Sequence, residues 1–81
     1  MDNSGRYERV LLDDLVSDPK NARVHGKRNL EAIKASLSSF GQVEPLVVQS
    51  GSMRVVGGNG RLEAMRSLGW RDALVAFVDL D

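Results

Sequence analysis

Three glycines in four positions followed by an arginine, Gly57-Gly58-Asn59-Gly60-Arg61, are the residues of this chain best suited to chemistry with an anion. Glycine adopts backbone conformations that a side chain forbids and lets another molecule approach the main chain closely. An apolar stretch before the run, Met53 to Val56, reads as a strand, and Arg61 to Leu68 after it reads as a helix. A helix starting there offers unpaired N–H groups and the positive end of its dipole. Arg61 adds a permanent cation whose fork of donors suits phosphate or carboxylate. The combination predicts an anion-binding turn.

A strand-to-helix turn needs one or two glycines for geometry alone, and three followed by arginine exceed that need. The run is only a partial dinucleotide fingerprint. Gly58-Asn59-Gly60 supplies G-x-G, but Glu63 stands where the third glycine belongs, although Asp79 lies about 20 residues on, as a ribose-binding acid would. It is not a P-loop, since no G-K-[ST] follows. Asn59 is suited to cap the helix. Arg61 can pair with Glu63 or another surface carboxylate, yet a cation in a first helical turn opposes the dipole, a cost that a bound anion offsets.

Other polar residues offer less. His25, the single histidine, lies in a polar loop beside Arg23 and is either solvated or able to contact a phosphate. Gln42 and Pro45 follow a predicted helix. They form either a polar turn or the side of a ligand site, where the Gln42 amide would both donate and accept. Were the turn catalytic, Glu63 or Glu44 would be the general base or metal ligand. No HExxH or paired His/Cys spacing supports a protein metal site, and the G-x-S-x-G nucleophile elbow is absent.

These residues need elements to hold them. Residues 1–7 read as a frayed leader and 8–81 as one domain. Arg9-Val10-Leu11-Leu12 reads as a strand, and Asp13 or Asp14 as the cap of a helical turn reaching Val16. Ser17-Asp18-Pro19 ends that turn, and Lys20 to Arg28 is a polar loop. Asn29 is then an N-cap for a helix with Leu30, Ile33, Leu37 and Phe40 at helical spacing, stopped by Gly41. Glu44-Pro45 leads into Leu46–Gln49, Ser50-Gly51-Ser52 turns the chain, and Met53–Val56 returns as a β-hairpin. Leu62, Met65 and Leu68 mark the face of the second helix, Gly69 stops it, Trp70 packs over its end, and Ala73 to Val78 is a last strand. The fold class is α+β: a small mixed sheet with a β-hairpin and two main helices. A buried strand so near the last residue suggests a domain excised from a longer protein.

Composition narrows the function. With 81 residues the core is small, and without cysteine there is no disulfide, thiolate metal site or thiol catalysis. A cysteine-free chain fits the cytoplasm. No secretory h-region opens the chain, and no apolar run approaches the roughly 20 residues that cross a bilayer. Eleven basic and eleven acidic residues leave zero formal charge, so bulk electrostatics will not drive the chain onto nucleic acid. The charge is uneven: Lys20, Arg23, Lys27, Arg28 and Lys34 cluster with His25 against Glu31 alone.

In order, Asn21-Ala22-Arg23-Val24-His25, the helix Leu30 to Phe40, Gly41-Gln42-Val43-Glu44-Pro45-Leu46-Val47-Val48 and Gly57-Gly58-Asn59-Gly60-Arg61-Leu62-Glu63-Ala64 resemble the N-terminal domain of ParB-like proteins, in the ParB/sulfiredoxin superfamily. The resemblance covers residues 8 to 81. It implies a nucleoside triphosphate, CTP or ATP with Mg²⁺, over the glycine–arginine turn. Gly57, Gly58, Asn59, Gly60 and Arg61 would cradle its phosphates, Arg23 and His25 would approach them, and Gln42 and Pro45 would line the pocket. It implies a DNA-associated protein of partition, phage, plasmid or methyltransferase type, with DNA bound through regions outside this chain and a homodimer as one form of assembly. An enzyme of the same superfamily (nucleotide hydrolase, phosphotransferase or nuclease) and an interaction module with an empty pocket are the alternatives. Sulfiredoxin chemistry is excluded, because Asn59-Gly60 replaces the cysteine and histidine of G-G-C-H-R. The charged pair of the partition-protein turn G-E-R-R is replaced as well.

Overall fold

The computed structural model describes residues 6–18 and 27–79. Their elements are β1 (Tyr7–Leu11), a 3-10 turn (Leu12–Asp14), β2 (Val16–Ser17), α1 (Lys27–Phe40), β3 (Leu46–Gln49), β4 (Arg54–Gly57), α2 (Asn59–Ser67) and β5 (Asp72–Val78). The strands form one mixed sheet in the order β1-β5-β3-β4-β2. β5 runs antiparallel to β1 and parallel to β3, so the last strand in sequence is paired on both sides. The α+β class, the hairpin and the two helices agree with the sequence reading.

The alternation of β5 shows how the sheet faces its core. Ala73, Val75 and Phe77 are buried while Asp72, Leu74, Ala76 and Val78 are half-buried, the period of two that a strand with one covered face requires. With Leu46, Val48 and Val55 they meet Leu37 of α1 and Leu62, Ala64 and Met65 of α2 in a single cluster that also takes in Leu12 and Leu15. Each fully buried Leu or Met there stabilises the fold by about 1.5–3 kcal/mol.

The helix stops are where glycine predicts them. Gly41 has φ +72 and its N–H reaches the Leu37 carbonyl at 2.8 Å. At the end of α2, Gly69 has φ +81; its N–H bonds Arg66 and the Trp70 N–H bonds Met65, the paired bonds of a Schellman motif. Trp70 packs half-buried against the core.

Several local expectations are corrected. α1 begins at Lys27, which puts Asn29 inside the helix rather than at its cap. The first strand includes Tyr7, which pairs with Ala76 of β5 and so is not part of a frayed leader. The segment expected to be a helical turn from Asp13 or Asp14 to Val16 is a 3-10 turn with Leu11 at its N-cap and no side-chain cap. Val16 belongs instead to β2, beside Arg54 of β4. Arg66 of α2 holds this segment, donating through Nη2 to the Leu12 and Leu15 carbonyls at 3.3 and 3.0 Å. The hairpin's return strand starts one residue late, at Arg54, because Met53 takes a left-handed φ of +60 in the turn with Gly51.

Candidate functional site

The glycine turn is built by packing as much as by flexibility. Gly57 ends β4 opposite Val47 of β3, and a Cβ on it would lie 3.2 Å from the Val47 Cβ. Gly58 has φ +95, which L side chains rarely adopt, and a Cβ there would lie 2.8 Å from Leu46 Cδ2 and 3.0 Å from Arg61 Nη2. The Arg61 guanidinium therefore lies over Gly58. Gly58 is the N-cap of α2 and brings no side-chain cap. The helical ladder begins with the Leu62 N–H on the Gly58 carbonyl at 2.8 Å, leaving the earlier N–H groups at the positive end of the helix.

Asn59 is not the cap expected of it. It is the first residue of α2, and its amide turns back into the protein. Nδ2 donates to the Val55 carbonyl at 2.9 Å, and Oδ1 accepts the Asp18 N–H at 3.3 Å. Asp18 is buried, and its carboxylate lies 4.0 Å from Arg54 Nε. Asn59 thus joins the turn to β4 and to the chain leaving β2.

Arg61 pairs with Glu44 rather than Glu63. Its Nη1 donates to the Glu44 carbonyl at 3.0 Å and lies 3.6 Å from the Glu44 carboxylate. Gln42 Nε2 donates to the same carbonyl at 3.0 Å and to the Leu74 carbonyl at 2.8 Å, while the Leu74 N–H donates to Gln42 Oε1 at 2.8 Å. The Gln42 amide stands in for a peptide group beside β5. Both its donors are engaged within the protein, which corrects the expectation of an amide free to read a ligand.

Beside Arg61 opens a cleft of about 220 Å³ lined by Ile33, Ser36, Leu37, Gly41, Val43, Glu44 and Arg61. Phe40 and Val43, both highly exposed, stand next to Gly41 and Gln42. Pro45 is half-buried at the entry to β3 and is not among the cleft residues. Glu63 is exposed on α2, and among the described residues no three His, Cys, Asp or Glu side chains are placed to hold a metal. Arg23 and His25 lie outside the described residues. The structure brings together Gly58, Arg61, Glu44 and Gln42. The cleft wall of Ile33, Ser36, Leu37 and Val43 escapes sequence reading, since Ile33 and Leu37 look like ordinary core positions.

The ParB N-terminal domain family matches residues 2–81, nearly the entire chain. The chain belongs to this family. Among solved structures it is similar to a Pnob8-like ParB-N domain, with 25% identity and a TM-score of 0.80 over 94% of this chain. It also resembles the C-terminally truncated chromosome-partitioning protein ParB from Caulobacter crescentus complexed with CTP-gamma-S, with 20% identity and a TM-score of 0.82 over 95% of this chain. Sulfiredoxin from Arabidopsis thaliana shares the fold, with 16% identity and a TM-score of 0.80 over 93% of this chain. This ParB N-domain spans 30% of the Pnob8-like chain, 46% of the Caulobacter chain and 86% of the sulfiredoxin. The comparison with curated proteins finds no match. Among the described residues no helix is long and apolar enough to cross a membrane.

Proposed function

We propose that this ParB N-domain binds a nucleoside triphosphate, with the phosphates over the Gly57–Arg61 turn. The observation that carries the reading is the left-handed Gly58 beneath the Arg61 guanidinium at the uncapped start of α2. A substituent on Gly58 would close that approach, whereas glycine leaves backbone donors and a fixed cation facing one space. Gly57, Gly60 and the main chain of Asn59 complete the turn. The Caulobacter relative, solved with CTP-gamma-S, supports CTP as the first nucleotide to test. Mg²⁺ would come with the triphosphate, held by its oxygens and water rather than by a protein cage. Arg23 and His25 are proposed to reach the phosphates, with Gln42 and Pro45 shaping the pocket from behind through the Glu44 segment. DNA would be engaged by regions outside these 81 residues, with a homodimer as one form of assembly.

Calorimetric titration of wild type and Arg61→Ala with CTP, ATP and GTP in the presence of Mg²⁺ tests the reading. Loss of a charged hydrogen-bond donor is expected to weaken triphosphate binding by about 1.5–3 kcal/mol, roughly ten- to a hundredfold. Equal affinities for the two proteins, or no heat with any nucleotide, would overturn it.

A further inference from the structure

Among the described residues Glu44 is the acid paired with the cation of the turn, and its arrangement differs from that of a ligand-holding residue. Its carboxylate is 3.6 Å from Arg61 Nη1, longer than the 2.7–2.9 Å usual for charge-assisted hydrogen bonds. Its side chain is 76% exposed, while that of Arg61 is 29% exposed. Arg61 is further fixed by its bond to the Glu44 carbonyl, which also accepts from Gln42. Glu44 lies in a bend just before β3, followed by Pro45, which disfavours helical backbone there. The guanidinium is the anchored partner and the carboxylate the movable one.

We infer that Glu44 is an internal competitor for Arg61, an anion that neutralises the guanidinium until the ligand's phosphates displace it. The inference rests on the reading that phosphates occupy the Gly57–Arg61 turn. A phosphate reaching Arg61 meets a like charge on Glu44, and the carboxylate must swing into water, which its exposure permits without loss of solvation. Glu44 therefore lowers affinity for the triphosphate, and selectively for its charge. This is the opposite of a metal-ligand role, in which the same carboxylate would raise affinity through Mg²⁺.

Affinity for CTP, tripolyphosphate and cytidine is measured by calorimetry for wild type, Glu44→Gln and Arg61→Ala, with and without Mg²⁺. An exposed ion pair contributes little, so Glu44→Gln is expected to tighten CTP and tripolyphosphate by about threefold at low salt. The gain should shrink toward unity at high salt, because screening weakens exposed charge pairs. Cytidine affinity should be unchanged. Binding by wild type, weakened in Arg61→Ala, with no gain in Glu44→Gln overturns this inference and leaves the phosphate reading standing. Weaker binding by Glu44→Gln that appears only with Mg²⁺ overturns it in favour of metal ligation. Absence of binding by all three proteins overturns both.

Discussion

Gln42 and Arg61 donate to one acceptor, the Glu44 carbonyl, each at 3.0 Å. Through that oxygen the cation of the glycine turn is connected to β5, because the same Gln42 amide exchanges two hydrogen bonds with Leu74. The segment between α1 and β3 thus determines where Arg61 points. A glutamine that sequence reading leaves between a polar turn and a ligand site shares the acceptor that holds the arginine.

Gln42→Leu is expected to destabilise the domain. It leaves the Leu74 N–H and C=O without their partner in a half-buried place, at a cost of about 1–3 kcal/mol. Urea unfolding should show a lower midpoint with an unchanged slope. Equal midpoints would show that water replaces the amide without loss.

Gly58→Ala and Gly51→Ala separate backbone strain from crowding. Both glycines have positive φ, +95 and +91, but an added Cβ meets Leu46 and Arg61 at Gly58 and nothing within 4 Å at Gly51. Gly51→Ala is expected to cost about 1 kcal/mol from left-handed strain alone. Gly58→Ala is expected to cost more, and to weaken nucleotide binding through the displaced guanidinium. Similar melting temperatures for the two variants would contradict the crowding.

Asn59→Ala removes bonds to Val55 and Asp18, separated from Asn59 by 4 and 41 positions. A loss of about 1–3 kcal/mol is expected from the two hydrogen bonds removed, at about 0.5–1.5 kcal/mol each. Hydrogen exchange should quicken at the Asp18 amide, while the hairpin amides keep their relative protection. An unaltered Asp18 exchange rate would exclude the tether.

Leu62→Ala tests the core beneath the turn. Leu62 is fully buried, three residues into α2 from Asn59, and its truncation is expected to cost about 2–5 kcal/mol. For a domain this small that is a large share of the total. Saturating CTP should raise the melting temperature of wild type by mass action and recover part of the loss in this variant. Its absence in both proteins would argue against nucleotide binding.

Much of the architecture is legible in the chain because its causes are local. Gly41 and Gly69 stop helices by taking left-handed conformations, Ser50-Gly51-Ser52 turns a hairpin, and alternation marks β5. The motif order from Asn21 to Ala64 resembles ParB N-domains, and the family match bears that out. Local reasoning fails where a distant partner decides. Tyr7 is a strand residue because β5 lies beside it, and Val16 is one because β4 does.

The sequence by itself determined that a strand passes through glycines into a helix carrying Arg61, since these are adjacent in the chain. The structure shortens the turn: Gly57 closes β4, and Asn59 to Arg61 already belong to α2, whose start the sequence places at Arg61. Only the tertiary structure decided what surrounds that turn. Glu44 reaches Arg61 across 17 positions and Gln42 reaches Leu74 across 32. No periodicity encodes such pairs. They arise because burying the apolar faces of α2, β3 and β5 brings those chain segments together, and buried polar groups must then find partners in whatever lies near.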